Sequence, residues 1–464
     1  MEMTRFHPYP AYKPSGISAK GGSASGGEWL GEIPEHWEVK KLKYVCTQYA
    51  VYGANEPAAN YSDSGVRFLR TTDITDNGDL ISEGAVYLPL ASMKDYLLQN
   101  GDILFSRSGT IGRTFLYNST LHGACAYAGY LVKFRLLRLR DPKFLFYFTK
   151  SLSYVDWLST IAIESTIGNV NGQKYANLPI AWPSLVEQRA IAAFLDRETA
   201  KLDALVAKKE RLIELLQEKR TALISHAVTK GLDPTVPMRD SGIEWLGEIA
   251  EHWRVKALKY AVSQQAGSVK TGPFGSQLLA EEMLDAEIKV YNQRNVIDKD
   301  AVGGDNFISK EKYDELFSFT VQPGDILVTT RGTIGRCFIL PADAETGILH
   351  PCLMRIRPDE SQYLPELLTA VIEESRLLQT QLFLLSDATT IDVVYSDTMK
   401  RAVFPIPPIK EQVEILNYVK SERAKIDALI AKVREGIEKL KEYRSALISA
   451  AVTGKIDVRE EAVA

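Results

Sequence analysis

The sequence predicts an α+β fold, in which two α/β domains related by a pseudo-two-fold axis are separated by an antiparallel coiled coil of two long helices. One observation is an internal repeat, because nearly the same Trp-Leu-Gly segment begins at Trp29 and again at Trp245. Another is a pair of long helix-forming segments, which begin at Pro183 and Pro407. The third is that the chain between these landmarks is rich in short apolar runs of the strand type.

The repeat consists of landmarks that occur in the same order in both halves. Chance does not produce matches this long, although the sequence between them is nearly unrelated. Free drift after a tandem duplication is one explanation, but drift does not readily spare only helices and short turns. Shared segments around variable inserts favour one scaffold that carries two different recognition domains. The landmarks are EWLGEIPEHW from Glu28 and EWLGEIAEHW from Glu244, GDILFSRSGTIGR from Gly101 and GDILVTTRGTIGR from Gly324, STIGNV from Ser165 and TTIDVV from Thr389, and the helix-forming segments.

The N-terminal residues depart from the repeat. The tripeptide SGI occurs at Ser15 and at Ser241, but in the first copy SAKGGSASGG follows it, from Ser18 to Gly27. Segments rich in Gly and Ser behave as flexible linkers. We therefore expect residues 1–27 to form a flexible N-terminal arm, and we assign residues 456–464 to a C-terminal tail.

The variable domains are predicted to comprise residues 28–182 and 233–406. Short strands such as GDILFS, YLVKFRLLRL and GDILVTT are separated by Gly, Asp and Asn turns, which is typical of mixed α/β domains. The Trp-rich segments contain His36 and His252, for which a packed structural role is the expected one.

Residues 183–232 and 407–455 are each predicted to form one long helix. Each segment opens with proline, continues with strong helix formers and ends near a glycine, Gly231 or Gly454. Apolar residues recur with heptad spacing, which is typical of a coiled coil, and Lys209 interrupts one apolar column. A two-fold axis between the halves reverses one helix relative to the other, so we expect antiparallel pairing that fixes the distance between the domains.

Composition limits the functional classes. Charged residues make up 25% of the chain and the formal net charge is −4, so contact with a polyanion requires local basic clusters. The cysteines Cys46, Cys125, Cys337 and Cys352 lack metal-binding spacing, which disfavours disulfides and zinc and favours the cytoplasm. No apolar run has transmembrane length, so no membrane association is expected.

Basic and amide side chains form local clusters in both variable domains. Arg, Asn and Gln form paired hydrogen bonds with purine edges, and the glycines of SGTIGR and RGTIGR let backbone approach a phosphate. The alternative for these glycine motifs is a β-turn with a cross-strand arginine, and the alternative for NQRN is a polar loop. The candidate nucleic-acid contacts are Arg67, Arg70, Thr71, Arg107, Ser108, Thr110, Arg113, Lys133, Arg135, Asn292, Gln293, Arg294, Asn295, Arg331, Thr333 and Arg336.

The sequence shows no catalytic motif. The glycine turns lack the lysine of a P-loop, and the Glu-x-Lys triplets at Glu38 and Glu287 lack a persuasive acidic partner upstream. NLPI at Asn177 approaches the Asn-Pro-Pro-aromatic tetrad of amino-methyltransferases but lacks its second proline and its aromatic residue. The chain is therefore predicted to be non-catalytic by itself and to bind no metal or cofactor directly.

This combination of motifs resembles the DNA-specificity (S) subunits of type I restriction-modification systems. The resemblance extends from Glu28 to Val458. It rests on the Trp-rich repeat, the GDIL…GTIG pairs, GPFGSQL at Gly272, and the two helices that end in ALISHAVT and ALISAAVT. The Gly/Ser insertion is the one departure, and it touches only the N-terminal arm.

The resemblance implies two target-recognition domains, each of which reads one half of a bipartite, asymmetric site in double-stranded DNA. It also implies two methyltransferase (modification) subunits that methylate adenine with S-adenosylmethionine, and motor-nuclease (restriction) subunits that use ATP and Mg²⁺. These cofactors would be bound by the partner subunits rather than by this chain. A coiled-coil adaptor whose globular ends bind protein partners is the alternative function, and a stand-alone nuclease is a weaker one.

Overall fold

The computed structural model describes residues 7–15, 30–163, 169–283, 287–385 and 393–459. The chain forms two compact units. Unit 1 comprises Met1–Lys209 and Arg434–Ala464, and unit 2 comprises Glu210–Val433. The Gly/Ser insertion, the first two residues of EWLGEIPEHW and most of STIGNV and TTIDVV lie outside the described residues.

Unit 1 is built from short strands and helices that precede the first long helix. The strands are β1 (Tyr12–Pro14), β2 (Glu32–Pro34), β3 (Glu38–Lys41), β4 (Cys46–Tyr52), β5 (Val66–Leu69), β6 (Val86–Leu88), β7 (Ile103–Ser106), β8 (Thr114–Leu116), β9 (Cys125–Tyr127), β10 (Leu131–Leu136) and β11 (Pro179–Trp182). The helices are α1 (Leu90–Met93), α2 (Ser119–His122), α3 (Pro142–Phe148), α4 (Leu152–Ile163), α5 (Gly172–Ala176) and the long helix α6 (Leu185–Lys230).

Two sheets form the centre of unit 1. One is a four-stranded antiparallel sheet in the order β4-β10-β7-β8, and the other is a three-stranded sheet in the order β6-β5-β9. Strands β5 and β9 are parallel, with Leu69 opposite Tyr127. Two ribbons, β1-β2 and β3-β11, complete the unit. Their apolar faces join a core that contains Trp37, Phe105 and Phe134.

Unit 2 repeats this topology, with one additional strand at the edge of its second sheet. Its sheets have the orders β15-β22-β19-β20 and β17-β16-β21-β18, its ribbons are β12-β13 and β14-β23, and β16 and β21 are its parallel pair. The duplication predicted from the sequence is therefore confirmed at the level of strand order. The strands are β12 (Met238–Asp240), β13 (Glu248–Ala250), β14 (Arg254–Ala257), β15 (Val269–Thr271), β16 (Ile288–Tyr291), β17 (Phe307–Ile308), β18 (Thr320–Val321), β19 (Ile326–Thr329), β20 (Cys337–Ile339), β21 (Gly347–Leu349), β22 (Leu353–Ile356) and β23 (Val403–Ile406), and the helices are α7 (Gln293–Asp298), α8 (Lys310–Glu315), α9 (Pro365–Glu374), α10 (Leu377–Leu385), α11 (Ser396–Arg401) and the long helix α12 (Ile409–Val452).

The long helices α6 and α12 run in opposite directions within each unit. In unit 1, Leu195 near the start of α6 shares the core with Leu447 near the end of α12. In unit 2, Val228 near the end of α6 shares the core with Ile415 near the start of α12. The antiparallel pairing predicted from the repeat is therefore confirmed.

Each unit has an ion pair between the long helices. Arg444 Nε lies 2.9 Å from Asp203 Oδ1 in unit 1, and Arg220 Nη1 lies 3.0 Å from Asp427 Oδ1 in unit 2. The two pairs occupy equivalent positions of the repeated helical sequence, with the roles of α6 and α12 exchanged. Because these pairs are largely exposed, they contribute about 0–1 kcal/mol each and mainly favour one register.

The N-terminal residues correct one prediction. Tyr9 is only 3% exposed and its hydroxyl donates to Glu187 Oε1 at 2.6 Å, while β1 pairs with β2. Residues 7–15 therefore belong to unit 1, and the prediction of a flexible arm over residues 1–27 is wrong for them. A three-residue strand carries too little sequence pattern to be recognised before its pairing partner is known.

Cys46, Cys125, Cys337 and Cys352 are free thiols in the structure. Burial raises the pKa of Cys46 to about 12 and that of Cys125 to about 11, so both remain protonated at neutral pH. Among the described residues, no helix is both long enough and apolar enough to cross a membrane.

Lys150 of unit 1 is partly buried at the end of α3. Its Nζ donates to the backbone carbonyl of Asp76 at 2.9 Å and lies 4.9 Å from the centroid of the Phe146 ring. Burial lowers the pKa of Lys150 to about 7. A lysine of the unfolded chain stays protonated up to about pH 10.4. Between about pH 10 and pH 7 the unfolded chain therefore holds a proton on this lysine that the folded chain does not. The free energy of unfolding decreases as the pH falls through this range.

Replacement of Lys150 by methionine (Lys150→Met) is expected to raise the free energy of unfolding more at pH 7 than at pH 9. The difference between the two pH values should reach up to about 2 kcal/mol. Urea denaturation at both pH values measures it, and Lys94→Met, at an exposed lysine of the same unit, controls for loss of a surface ammonium group. An equal effect of Lys150→Met at both pH values would contradict the lowered pKa.

Candidate nucleic-acid interface

In unit 1, the repeated Trp-rich segment binds one end of each long helix. Trp37 is fully buried, its Nε1 donates to Glu187 Oε1 at 3.1 Å, and His36 Nε2 lies 3.1 Å from Glu187 Oε2. Glu187 lies in the first turn of α6, where a carboxylate is also stabilised by the helix dipole. The other long helix ends at Val452, and a Cβ at Gly454, two residues later, would lie 2.4 Å from Pro34 Cδ and 3.3 Å from Trp37 Cη2. Only glycine fits this contact.

The same arrangement occurs in unit 2. Trp253 Nε1 donates to Glu411 Oε2 at 2.8 Å, and His252 Nε2 lies 2.7 Å from Glu411 Oε1, in the first turn of α12. A Cβ at Gly231, just after α6, would lie 3.3 Å from Trp253 Cζ2. The histidine side chains are 48% and 42% exposed, so the structural role predicted for them consists of contact with the glutamate at the start of a long helix and not of burial in a packed core. The repeated segment thus attaches each variable domain to the helix pair in the same way.

The aspartate of each GDIL segment is a structural residue. Asp102 is fully buried and its Oδ1 lies 2.6 Å from Arg135 Nε, while Asp325 is 1% exposed and its Oδ1 lies 2.8 Å from Arg357 Nε. A buried carboxylate requires such a partner. Arg135, predicted as a nucleic-acid contact, therefore neutralises a buried charge, as Arg70 does for Asp73.

The parallel strands of unit 1 end at one surface. β5 leads into Arg70 and Thr71, and β9 leads into the segment that ends at Tyr130. The carboxyl ends of neighbouring parallel strands are the usual place for ligand binding in α/β sheets. The SGTIGR turn lies at the same edge, because Thr110 Oγ1 donates to the backbone carbonyl of Thr71 at 3.4 Å. We refer to residues 53–55, 70–72, 108–110 and 128–130 as the unit 1 reading surface.

A cavity of about 730 Å³ opens at the unit 1 reading surface. Asn55, Thr72 and Tyr130 contribute to its lining, and Tyr130 is 61% exposed. The backbones meet closely here, since a Cβ at Gly53 would lie 2.2 Å from the carbonyl oxygen of Tyr127. Amide, hydroxyl and aromatic groups are those that hydrogen-bond or pack against base edges.

The parallel strands of unit 2 end at an equivalent surface. β16 leads into Asn292 and Gln293, and β21 leads into His350. Gln293 Nε2 donates to the backbone carbonyl of Arg331 at 2.9 Å, which places the RGTIGR turn at this edge. Phe274 follows the GP dipeptide and is 72% exposed. We refer to residues 272–274, 292–293, 331–333 and 350–352 as the unit 2 reading surface.

His350 and Arg331 of the unit 2 reading surface differ in charge. Burial lowers the pKa of His350, and the positive charge of Arg331 lowers it further. Nδ1 of His350 accepts the backbone N–H of Cys352 at 3.1 Å. The imidazole is therefore neutral at pH 7, and Arg331 supplies the positive charge of this part of the surface.

The structure brings together part of the predicted set of contacts. In unit 1 these residues are Arg70, Thr71, Ser108 and Thr110, and in unit 2 they are Asn292, Gln293, Arg331 and Thr333. They come from segments far apart in sequence, and the parallel strand pair accounts for their proximity. These residues remain predicted contacts.

Two predicted contacts are buried. Lys133 is 5% exposed in the central strand β10, and burial lowers its pKa. Asn295 is 2% exposed, and its Oδ1 accepts the backbone N–H of Asn292 at 2.9 Å, which closes a capping box at the start of α7. Neither side chain can reach a duplex, so both predictions are wrong.

Arg70 and the predicted arginines outside the reading surfaces are engaged by neighbouring groups, and they stay predictions. Their partners are backbone carbonyls, carboxylates or an aromatic ring. Arg67 donates to the carbonyl of Ile81, Arg70 lies 2.7 Å from Asp73, Arg107 lies 5.1 Å from the ring centroid of Tyr52, Arg113 lies 2.5 Å from Asp76, Arg294 lies 3.3 Å from Asp298, and Arg336 lies 3.1 Å from Glu373.

Sequence reasoning missed the exposed aromatic residues of both surfaces. Each surface also has a glycine at which two backbone segments meet: a Cβ at Gly53 would lie 2.2 Å from the carbonyl oxygen of Tyr127, and a Cβ at Gly272 would lie 2.2 Å from that of His350. The signal available in the sequence was an aromatic residue next to glycine after an apolar strand, in YGAN, AGY and TGPF.

One family model matches both halves of the repeat. The family model described as type I restriction modification DNA specificity domain matches residues 34–215 and 284–439, which together make up more than half of the chain. Each matched segment contains one parallel strand pair and most of one variable domain.

Curated relatives span nearly the whole chain. The type I restriction enzyme StySPI specificity subunit of Salmonella potsdam is 23% identical over 443 residues, which cover 92% of this chain and 90% of the relative. The type I restriction enzyme EcoKI specificity subunit of Escherichia coli strain K12 is 22% identical over 440 residues, with 92% and 90% covered.

A solved structure shares the fold. It is described as the structural basis underlying complex assembly and conformational transition of the type I R-M system, and one of its chains superposes with a TM-score of 0.62. The match covers 91% of this chain and 99% of that chain at 16% identity, so it bears on the fold alone. With the family model matched in both halves of the repeat, the chain belongs to the type I restriction-modification DNA specificity family.

Proposed function

We propose that this chain is the DNA-specificity subunit of a type I restriction-modification complex and that it reads a bipartite, asymmetric DNA site. The observation that carries this proposal is that the two units share topology and helix anchoring but differ at their reading surfaces. Ser108 of unit 1 corresponds to Arg331 of unit 2, and Tyr130 corresponds to Cys352. Two units with the same fold but different side chains at their reading surfaces are suited to bind two half-sites of different sequence.

The equivalence of these positions rests on backbone contacts. The carbonyl of Tyr130 accepts the N–H of the residue before Ser108, and the carbonyl of Cys352 accepts the N–H of the residue before Arg331, both at 3.0 Å. The backbone is therefore the same where the side chains differ. Sequence discrimination requires side chains that contact base edges, which the backbone alone does not supply.

The repeated scaffold also supports the proposed partners. Two identical methyltransferase subunits require two equivalent binding sites. The Trp-rich segment and the helix ends that it contacts occur once in each unit and could provide such a pair of sites. These subunits would use S-adenosylmethionine to methylate one adenine in each half-site, and restriction subunits would use ATP and Mg²⁺. Such a complex acts on DNA in the cytoplasm.

This chain is proposed to contribute recognition and positioning to that complex, not catalysis. Among the described residues, no group of three or more His, Cys, Asp and Glu side chains is placed to hold a metal ion. The coiled-coil adaptor considered above is not favoured, because the family match includes both variable domains and not only the helices.

Methylome sequencing tests the proposed function. A host that expresses the chain with its methyltransferase subunits should show one interrupted motif with a methylated adenine in each half, and deletion of this chain alone should abolish it. Methylation that persists without the chain would contradict the proposal, as would an uninterrupted palindromic motif.

A further inference from the structure

Arg331 differs from the other arginines near the unit 2 reading surface. It is exposed, and within the described part of the chain no hydrogen bond or ion pair engages its guanidinium. Arg336 in the same turn lies 3.1 Å from Glu373, and Arg357 on the same sheet lies 2.8 Å from Asp325. Arg331 therefore presents to this surface a positive charge and guanidinium N–H groups that are available to donate hydrogen bonds to a ligand.

The backbone beneath Arg331 is held from several sides. Its carbonyl accepts Gln293 Nε2 at 2.9 Å, and its backbone forms a bridge with Val393. Directly before it in the chain, Thr330 Oγ1 donates to the carbonyl of Cys352 at 2.9 Å, and Thr329 Oγ1 donates across the turn to the carbonyl of Thr333. Only the side chain of Arg331 has to be ordered when a ligand binds, which reduces the entropic cost of the contact.

The equivalent position of unit 1 is Ser108. Its backbone forms a bridge with Asn169, as Arg331 does with Val393, so the two turns have the same surroundings. Contacts to phosphate carry no sequence information and suit residues that both units share. A side chain that differs between otherwise equal turns is instead placed to discriminate between bases.

We infer that Arg331 reads a guanine in the half-site that unit 2 contacts, by donating two hydrogen bonds to the O6 and N7 acceptors of that base. The guanidinium fork matches these two acceptors, and this pairing is the commonest specific contact between proteins and the major groove. Unit 1 has serine at this position, so the contact belongs to one half-site only. The inference rests on the proposed function and adds a base and a residue to it.

Duplexes with one altered atom test the contact. The complex of this chain with its methyltransferase subunits is bound to duplexes that contain the methylated motif. Each guanine of the second half-site is replaced in turn by 7-deazaguanine, which lacks the N7 acceptor. At one guanine the wild-type complex should lose roughly tenfold in affinity. Arg331→Ala, which loses the bonds to both O6 and N7, should weaken binding to the unmodified duplex by at least that factor and should lose nothing further at that guanine.

Arg254→Ala is the matched control. Arg254 is an exposed arginine of β14 in the same unit, and Glu38 occupies its place in the first copy of the repeat. This variant should keep both the affinity and the 7-deazaguanine effect of the wild type.

Two results would overturn the inference while leaving the proposed function intact. One is that Arg331→Ala retains the 7-deazaguanine effect at every guanine, and the other is that it weakens all duplexes equally with a lower salt dependence, as loss of a phosphate contact does. Failure of the wild-type complex to prefer its motif over other duplexes would instead refute the proposed function and, with it, this contact.

Discussion

Exchange of residues 28–182 for the same region of a related specificity subunit is expected to change one half of the methylated motif and to leave the other half intact. The unit 1 reading surface lies within the exchanged region, whereas the unit 2 reading surface does not. Distant sites without shared contacts are usually energetically independent. The exchange should retain Tyr9 of this chain, because its hydroxyl donates to Glu187 at the start of α6.

Methylome sequencing of the hybrid measures the outcome. The reciprocal exchange of residues 233–406 is the control and should change the other half of the motif. If either exchange altered both half-sites, the two units would not read DNA independently, and the assignment of one half-site to each reading surface would fail.

Asp325→Ala is expected to destabilise unit 2 by about 3–5 kcal/mol, because removal of one partner leaves a partly buried guanidinium without its counter-charge. Asp325 is 1% exposed and accepts two hydrogen bonds from Arg357, from Nε at 2.8 Å and from Nη2 at 3.0 Å. Urea denaturation measures the loss. In the methylome, this variant should lose methylation at the complete motif as the temperature rises.

Asp314→Ala is the control for this experiment. Asp314 forms an exposed ion pair with Lys310 at 3.0 Å in α8, and its loss should cost less than about 1 kcal/mol. A loss for Asp325→Ala as small as that for Asp314→Ala would show that the GDIL aspartate is not the structural residue that its burial indicates.

The long helices were the most predictable part of the fold. Residues 183–232 and 407–455 were predicted as helices, and the structure has Leu185–Lys230 and Ile409–Val452. Local signals explain this agreement, because helix formers, heptad spacing and terminal glycines all lie within the segment that they describe. The pairing direction followed from the repeat, since the symmetry between the halves reverses one helix.

Charged residues in strands were the least predictable part of the site. Lys133 and Arg135 occur in a strand that reads as basic, yet β10 lies between β4 and β7 and is almost entirely buried. The charge of Arg135 is balanced by Asp102, which is 33 positions earlier in the chain. Neither sheet order nor a distant counter-charge can be read from a local sequence pattern.

The reading surfaces could be predicted only in part for a related reason. Turns such as SGTIGR and RGTIGR are visible in the sequence, but their neighbours depend on which strands are parallel. Tyr130 and Phe274 become site residues only because β9 and the segment after Gly272 reach the same edges. The difference between Ser108 and Arg331 at equivalent positions is visible in the sequence. That no described residue forms a hydrogen bond or ion pair with the Arg331 guanidinium depends on the fold.

Site-specific photo-cross-linking tests most directly whether each reading surface contacts its own half-site. A benzophenone amino acid replaces Tyr130 or Phe274 in the complex with the methyltransferase subunits, and each chain is irradiated with a duplex that contains the methylated motif. A third chain carries the group at Leu139, which is 71% exposed but lies outside both reading surfaces. We expect cross-links from position 130 only to one half-site, cross-links from position 274 only to the other, and none from position 139. Cross-links from positions 130 and 274 to the same half-site, or none from either, would contradict the account.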